Sequence, residues 1–315
     1  MTDFESPEGA SSRTAGGSDS VGFAEAQIQA MREDPRLEGA MRHSVTRALA
    51  YYRANPLMHR NLKDVGRFIL GVVALYLDAT GGLTHRRLRA LSGQSGLISA
   101  GAASAVLLRL RLIGYVTAHG PQVNGQIKLY RPTPTMAAAF RERMRIELEA
   151  AAVFNPRVGP ILERLDDPEV FPSLMAVLGD DTINAARHPH PDTVGLDRIS
   201  TRTAGMMILY RILSDADQGG AFPPLGEVAV SVSGLAREFE VSRSHVLTIL
   251  RDAEQCGLMS RLEGEGHWRL EPAMAQAFRT FYAVIYMGVI KGARATQAAL
   301  AMDQGAVRPG PDAMA

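Results

Sequence analysis

The chain has 315 residues, 46% of them hydrophobic, and a formal net charge of +1, which suits one large domain or two ordinary domains with a buried core. Its single cysteine excludes a disulfide framework and favours a reducing cytoplasm. The longest apolar runs, residues 68–77 and 281–290, contain ten residues each, about half of the roughly 20 that a membrane helix needs. We therefore expect buried helices, no membrane partner and a cytoplasmic protein.

The charge is distributed unevenly along the chain. Residues 37–150 contain 16 Lys and Arg against 6 Asp and Glu, whereas residues 1–36 contain 3 against 7. A basic block attracts polyanions locally, even in a nearly neutral chain. This favours a nucleic-acid partner over arginines spread across solvated helix faces. The polar, Gly- and Ser-rich composition of residues 1–36 predicts a disordered tail, and we expect a second flexible tail over residues 303–315.

The chain contains an internal repeat. Residues 99–115 match residues 242–258 at a constant offset of 143. Residues 130–141 match residues 268–279 at an offset of 138, and seven of the twelve paired residues are identical. Because the two matches occur in the same order, they indicate a repeated unit whose second copy has a shorter loop.

Both copies predict the same elements in the same order: a long apolar helix, a short helix with a turn, a further helix, a hairpin and a helix after proline. In the first copy these elements cover residues 65–78, 83–99, 99–115, 115–131 and 136–153. In the second copy they cover residues 203–215, 232–242, 242–258, 258–270 and 274–299. Ser242 is a suitable N-cap and Gly257 a suitable helix end, and Asn124–Gly125 is a strong hairpin signal.

This order of elements is that of a winged helix-turn-helix, found twice. We therefore expect a mainly α fold with small β-hairpin wings. The pattern resembles the MarR-type transcriptional regulators over residues 60–150 and 203–295. The resemblance implies that flanking helices build a dimer and that the wing touches the DNA backbone or the minor groove.

The repeat predicts two winged-helix domains, over residues 37–155 and 201–302, which mimic in one chain the two subunits of a dimer. Residues 156–200 are expected to form a linker with short helices around residues 160–165 and 172–178. Such a pseudo-dimer would have two unequal halves, because the two copies differ in the side chains that would face DNA.

The helix after Ser242 presents side chains that suit base recognition. Arginine reads guanine through two parallel hydrogen bonds, and serine and threonine are adaptable donors and acceptors. The predicted DNA-binding residues of the second copy are Ser242, Arg243, Ser244, His245, Thr248 and Arg251, with Arg261 and His267 in its wing. Trp268 and the matching Tyr130 are expected to be core anchors.

The first copy is basic but has no obvious base readers. The positions aligned with the readers are Ala100, Gly101, Ala105 and Leu108. Its predicted DNA contacts suit phosphates, which position a protein without specifying sequence; they are His85, Arg86, Arg87, Arg89, Ser99, Arg109 and Arg111, with Asn124 and Lys128 in the wing. Either this copy holds the DNA backbone, or it has lost DNA binding and serves as a pairing surface.

The sequence thus predicts a bacterial, sequence-specific DNA-binding regulator of transcription, with double-stranded DNA as its partner. The second domain would read bases and the basic first domain would hold the backbone. A homodimer through the terminal helices is a further option, and no sequence feature supports a small-molecule effector. The alternative is an architectural or protein-interaction module whose tandem winged helices read no bases.

No enzyme activity, metal or cofactor is expected. The chain has no glycine-rich phosphate loop, nucleophile elbow or HExxH motif. His188, His190 and Asp192 carry groups that bind metals, but the alternating prolines predict an extended loop and a fourth ligand is lacking.

Overall fold

A computed structural model describes residues 23–95, 99–120, 129–264 and 266–306. The fold is mainly helical, with small antiparallel sheets. The helices up to the end of the first copy are α1 (Glu25–Glu33), α2 (Leu37–Ala54), α3 (Pro56–Asn61), α4 (Val65–Ala79), α5 (His85–Ser95), α6 (Ala100–Leu112) and α7 (Pro134–Ala152). The remaining helices are α8 (Gly159–Glu163), α9 (Val170–Arg187), α10 (Val194–Ser200), α11 (Gly205–Ala216), α12 (Val232–Glu238), α13 (Arg243–Gln255) and α14 (Pro272–Ala306).

Five short strands complete the described fold. They are β1 (Val116–His119), β2 (Leu129–Pro132), β3 (Gly226–Ala229), β4 (Met259–Arg261) and β5 (His267–Leu270). β1 pairs with β2, and the second sheet has the order β3–β5–β4, with antiparallel pairing throughout. An isolated bridge between Leu83 and Tyr130 occupies in the first copy the place that β3 has in the second. The sequence did not predict β3.

The repeat predicted from the sequence has identical helix ends in the structure. The Ser99 hydroxyl accepts from the backbone N–H of Ala102 at 3.2 Å, and the Ser242 hydroxyl accepts from that of His245 at 3.1 Å. Each thirteen-residue helix ends before a left-handed glycine, Gly114 (φ 73°) or Gly257 (φ 67°). The N-caps and the glycine ends follow the prediction because both depend on neighbouring backbone alone.

The second hairpin turns where the sequence places it, with left-handed Gly264 (φ 97°) and Gly266 (φ 81°). The predicted turn of the first hairpin, Asn124–Gly125, lies outside the described residues, as does Lys128. Trp268 and Tyr130 are 6% and 7% exposed, so both rings are core anchors, as expected.

The structure differs from the expected N-terminal tail in residues 25–33, which form α1. Ile28 is fully buried, and α1 packs against α14. The guanidinium of Arg279, in α14, donates at 3.1 Å to the carbonyl of Arg32. A single buried apolar residue in a polar segment produces no recognisable helical pattern, so the sequence did not predict α1. At the other end, α14 continues to Ala306, and the later residues of the expected second tail lie outside the described part.

The structure also differs from the expected linker, because α9 is an eighteen-residue core helix. Leu174 is fully buried, and α9 packs between α4 and α14. The expected short helix around residues 172–178 lies within α9. Pro172 is tolerated because it lies in the first turn, where a backbone N–H has no helical partner.

Two helices outside the copies bridge them. Taking the first copy as α4–α7 and the second as α11–α14, α2 packs against α7 and α11, and α9 packs against α4 and α14. Arg42 of α2 pairs with Asp217 at the end of α11, and its Nε lies 2.7 Å from the carboxylate. Among the described residues, one hydrophobic cluster extends from Leu37 to Leu300. Separating the copies would therefore expose apolar surface to water.

A buried polar cluster lies where α2, α7, α11 and α14 meet. Arg143 and Glu147 form an ion pair of 2.5 Å, and Ser44 donates to the other Glu147 oxygen at 3.0 Å. The Tyr286 hydroxyl lies 2.9 Å from the Ser44 hydroxyl, and donates to it since the serine proton is already engaged. Nearby, the Tyr282 hydroxyl donates to that of Tyr210 at 2.8 Å, and burial raises the pKa of Tyr210 to about 12. The cluster joins helices from both copies.

Replacing Arg143 by Met should lower the free energy of unfolding by about 3 kcal/mol, because it leaves the Glu147 carboxylate buried without its counter-charge. Urea denaturation followed by far-UV circular dichroism measures the loss. The control is Arg164→Ala, which breaks an exposed pair with Asp167 and should cost at most about 1 kcal/mol. Equal losses in the two variants would contradict the assigned role of the cluster.

Glycine lets α9 approach its neighbours closely. A Cβ on Gly179 would overlap the ring of Tyr76 in α4, and a Cβ on Gly292 of α14 would overlap Leu178 in α9. We expect Gly179→Ala to lower the free energy of unfolding by about 1 to 3 kcal/mol through overpacking. A Cβ on Gly39, in α2, would meet no atom within 4 Å. Gly39→Ala should therefore raise the free energy of unfolding by about 0.5 kcal/mol. Thermal denaturation of both variants checks the opposite signs.

Candidate nucleic-acid interface

Three of the predicted base readers lie together on the open face of α13. Arg243, Ser244 and Arg251 are exposed. Within the described part of the chain, neither arginine forms an ion pair. The Ser244 hydroxyl lies 2.9 Å from that of Ser242, which caps the helix. The face therefore offers two free guanidinium groups and a hydroxyl, all on one regular helix.

His245 and Thr248, also predicted readers, are engaged inside the protein. The Nε2 of His245 lies 2.8 Å from the carbonyl oxygen of Thr203; since a carbonyl only accepts, the ring donates and ties α13 to the start of α11. Thr248 is half-buried, and its hydroxyl donates to the Ser244 carbonyl at 2.9 Å. His245 therefore fixes the helix to a neighbouring element, whereas the bond of Thr248 lies within α13 itself. Sequence spacing could not reveal the contact of His245, because Thr203 is distant in the chain.

Leu247 lies on the open face, where the sequence reasoning did not place it. Its side chain is 38% exposed. It follows Ser244 by three positions and precedes Arg251 by four, so the three side chains are neighbours on the helix surface. That spacing was the available signal for this residue.

Arg237 is a second residue that the sequence reasoning missed. A cleft of about 400 Å³ between α12 and the start of α13 is lined by Arg237, Arg243, Ser233, Ala236 and Val241. Arg237 is exposed and, among the described residues, makes no ion pair. Two free guanidinium groups at the start of a helix favour an anion there, since the helix N-terminus carries a partial positive charge.

The β4–β5 hairpin of the second copy is mixed in charge. The predicted DNA contacts Arg261 in β4 and His267 in β5 are exposed. Glu263 is exposed beside them and would repel phosphate. The hairpin therefore offers fewer groups suited to a polyanion than α13.

In the first copy, two of the predicted phosphate contacts are free and two serve the fold. Arg86 and Arg89 of α5 are exposed without an ion pair within the described residues. Arg87 instead donates to the carbonyls of Gly82 at 2.8 Å and Thr80 at 3.1 Å, and so holds the loop before α5. His85 bonds to Ser104 of α6 at 2.8 Å.

The arginines of α6 also have partners in the protein. Arg109 donates from Nε to the side-chain oxygen of Asn61 at 2.7 Å, which joins α6 to α3. The Arg111 guanidinium lies 5.6 Å from the centre of the Tyr130 ring. Ser99 is occupied as the N-cap, and the predicted wing contacts Asn124 and Lys128 lie outside the described residues.

The open face of α6 is apolar. It presents Gly101, Ala105, Leu108 and Leu112, and the two leucines are 53% and 78% exposed. An offset of 143 maps these positions onto Ser244, Thr248, Arg251 and Gln255. The two copies therefore share a backbone but present opposite chemistry on the equivalent helix.

The segment before the first copy, from α2 to the start of α4, holds the turn between α12 and α13. Lys63 donates to the carbonyls of Phe239 at 3.3 Å and Glu240 at 3.2 Å. Arg60 pairs with the Glu240 carboxylate at 2.8 Å and lowers its pKa, and Arg53 pairs with Glu238 at 2.8 Å. Glu240 has a left-handed backbone (φ 51°). These contacts fix α13 relative to the first copy.

His59 lies beside this turn. Its ring stacks on Tyr52, with centroids 3.8 Å apart, and Tyr52 contacts Phe239 edge-on at 5.2 Å. Burial lowers the pKa of His59 to about 4 from its ordinary value of 6.5. The folded protein therefore prefers the neutral ring, while the unfolded chain binds the proton already near pH 6.5. The contribution of the neutral His59 ring to the free energy of unfolding is therefore complete above pH 6.5 and is lost as the pH falls toward 4.

From about pH 7 to about pH 5, the free energy of unfolding should fall by about 1 to 2 kcal/mol more in the native protein than in His59→Gln. Urea denaturation at each pH measures the difference. His119→Gln, at an exposed position, should retain the full acid sensitivity. If both variants behave like the native protein, His59 is not the group that titrates.

His190 and Asp192, in the segment 188–192, attach α1. His190 is buried, and its Nδ1 accepts from the backbone N–H of Asp192 at 3.1 Å. Because Nδ1 accepts, the ring proton is on Nε2, which donates to the Glu25 carboxylate at 3.0 Å. Asp192 also pairs with Arg32 at 3.0 Å. The described residues hold no group of three His, Cys, Asp or Glu side chains suited to a metal.

In the described part of the chain, one helix, α14, is long and apolar enough to cross a membrane by length and composition. Its Tyr282, Tyr286 and Phe278 are fully buried against other helices, as in the core helix of a folded domain. No family model matches the chain, and no curated protein or solved structure matches it. The candidate interface therefore rests on geometry alone: a polar, cationic face on α13 and an apolar face on α6.

Proposed function

We propose that the chain is a sequence-specific DNA-binding regulator of transcription, built from two winged helix-turn-helix units and similar in plan to the MarR type. The order of elements supports this in both copies: a helix, a strand or bridge, two helices and an antiparallel pair of strands. In such units the third helix, here α6 or α13, enters the major groove. The proposed site of action is the bacterial cytoplasm, without a cofactor.

The exposed face of α13 is the observation that carries the proposal. Arg243 and Arg251 are exposed without ion pairs among the described residues, and Ser244 lies between them on the same face. Exposed arginines elsewhere in the chain are often paired, as Arg53 is with Glu238. A free guanidinium group can donate two parallel hydrogen bonds to guanine in the major groove. This face would read bases.

The first copy would hold the DNA backbone. The excess of Lys and Arg over Asp and Glu lies in residues 37–150, and Arg86 and Arg89 remain free at the surface of α5. Phosphate contacts of this kind set register and affinity without specifying sequence. Arg87 and Arg109 are not part of this proposal, because their bonds within the protein occupy them.

The bridging helices α2 and α9 support a pseudo-dimer within one chain. Because α2 and α9 pack across the copies, the orientation of α6 relative to α13 is fixed before DNA is bound. If both units dock on one face of the duplex, their sites lie about 34 Å apart, one helical turn. We expect an asymmetric DNA site, with a base-read half and a backbone-held half.

The apolar face of α6 favours a second candidate, in which the protein is an architectural or protein-interaction module that reads no bases. Leu108 and Leu112 are exposed and cannot form hydrogen bonds with base edges. The two candidates differ in one measurable property: a regulator binds a specific duplex far more tightly than a random one, and a scaffold does not.

Selection of bound duplexes from a random pool, at moderate salt and with sequencing of the bound fraction, tests the proposal. Enrichment of one asymmetric motif would support the regulator. Binding without enrichment, lost as salt rises, would leave only electrostatic attachment and favour the architectural candidate.

Variants separate the two kinds of contact. Arg243→Ala should reduce the ratio of specific to random binding about 10-fold, because it removes a base contact.

The double variant Arg86→Ala and Arg89→Ala should weaken binding to every duplex. It should also lower by about two the slope of the logarithm of the binding constant against the logarithm of the salt concentration. Fluorescence anisotropy at several salt concentrations measures both effects. Arg164→Ala, on a surface distant in the chain from both helices, should change neither quantity; equal losses on every sequence from Arg243→Ala would refute base reading by that residue.

A further inference from the structure

Leu247 is the one large apolar side chain among the open positions that α13 presents between Arg243 and Arg251. It is 38% exposed. Its neighbours on the helix surface are Arg243 four positions earlier, Ser244 three positions earlier and Arg251 four positions later. Isolated exposed leucines are common on protein surfaces, but this leucine lies at the centre of the face that would enter the major groove.

The chemistry of the groove restricts what such a leucine can contact. Base edges in the major groove present hydrogen-bond donors and acceptors, and among the four standard bases thymine alone adds an apolar group, its C5 methyl. A leucine pressed against a polar edge would take donors and acceptors away from water without giving them a partner, which is unfavourable. Against a thymine methyl it buries apolar surface on both sides.

We propose that Leu247 packs on the C5 methyl of a thymine, so that the half-site read by α13 contains a required thymine between the base pairs that Arg243 and Arg251 contact. This inference rests on the proposed function. It assigns to Leu247 a role in specificity that hydrogen bonding cannot fill. In the first copy the equivalent residue is Ser104, which bonds to His85, so the inference applies to the second copy alone.

Deoxyuridine provides the test, because it lacks the C5 methyl and retains the hydrogen-bonding groups of thymine. In the duplex obtained by selection, each thymine is replaced singly by deoxyuridine, and the dissociation constant is measured by fluorescence anisotropy. One position within the half-site assigned to α13 should lose affinity about fourfold, the effect of one buried methyl group. Thymines outside that half-site should show no loss.

Leu247→Ala should weaken binding to the thymine duplex and abolish the difference between thymine and deoxyuridine at that position. Leu225→Ala is the matched control, since it removes an exposed leucine (56% exposed) outside α13 and should leave the difference intact. Thermal denaturation of both variants verifies that they are folded.

The outcomes separate this inference from the function on which it rests. A selected motif with no deoxyuridine-sensitive position, or a sensitivity that persists in Leu247→Ala, overturns the role of Leu247 and leaves the regulator in place. Failure to select any motif overturns the regulator, and the thymine contact with it.

Discussion

The buried ion pair between Arg143 and Glu147 lies at the point where helices from both copies meet. Its hydrogen-bond partners come from α2 and α14, and the Tyr282–Tyr210 pair links α14 to α11. A charge placed there is tolerated only while its counter-charge and hydroxyl partners remain. The contact between these four helices thus involves matched polar groups as well as apolar burial.

The packing of α2 and α9 against both copies has a consequence for binding. Two linked domains ordinarily move relative to one another, and each must be ordered when both bind. Here Lys63, Arg60 and Arg53 hold the turn before α13 from the side of the first copy. A polyanion that engages both units would meet them already oriented, so less conformational entropy is lost on binding.

The two copies have kept one backbone and diverged in surface chemistry. The caps of α6 and α13 are the same, and so are the left-handed glycines that end them. A polar contact at one equivalent position is also retained, with a change of charge. In the first copy Arg109 of α6 donates to Asn61 of α3. In the second copy the matching residue of α13, Asp252, accepts from Arg198 of α10. Such pairs preserve packing while the outer faces differ, so the open face of α6 is apolar and that of α13 is polar.

Local chemistry explains which features were predictable from the sequence. The N-caps Ser99 and Ser242, the turn glycines and the helical spacing of α13 depend on residues within one turn of each other. The repeat itself fixed the order of elements and the offset between copies. Free arginines such as Arg243 and Arg251 were also correctly placed on an open face, since amphipathic spacing alone separates that face from the core.

Only the tertiary structure decided which polar residues remain free. Arg109 and His245 look like surface groups in the sequence, yet each has a partner in the fold, and these partners are 48 and 42 residues away. The core position of α9 and the docking of α1 depend likewise on distant helices. By itself the sequence determined the repeated units and their charges; the contacts between the units, which no local pattern encodes, decided which faces are left to bind a partner.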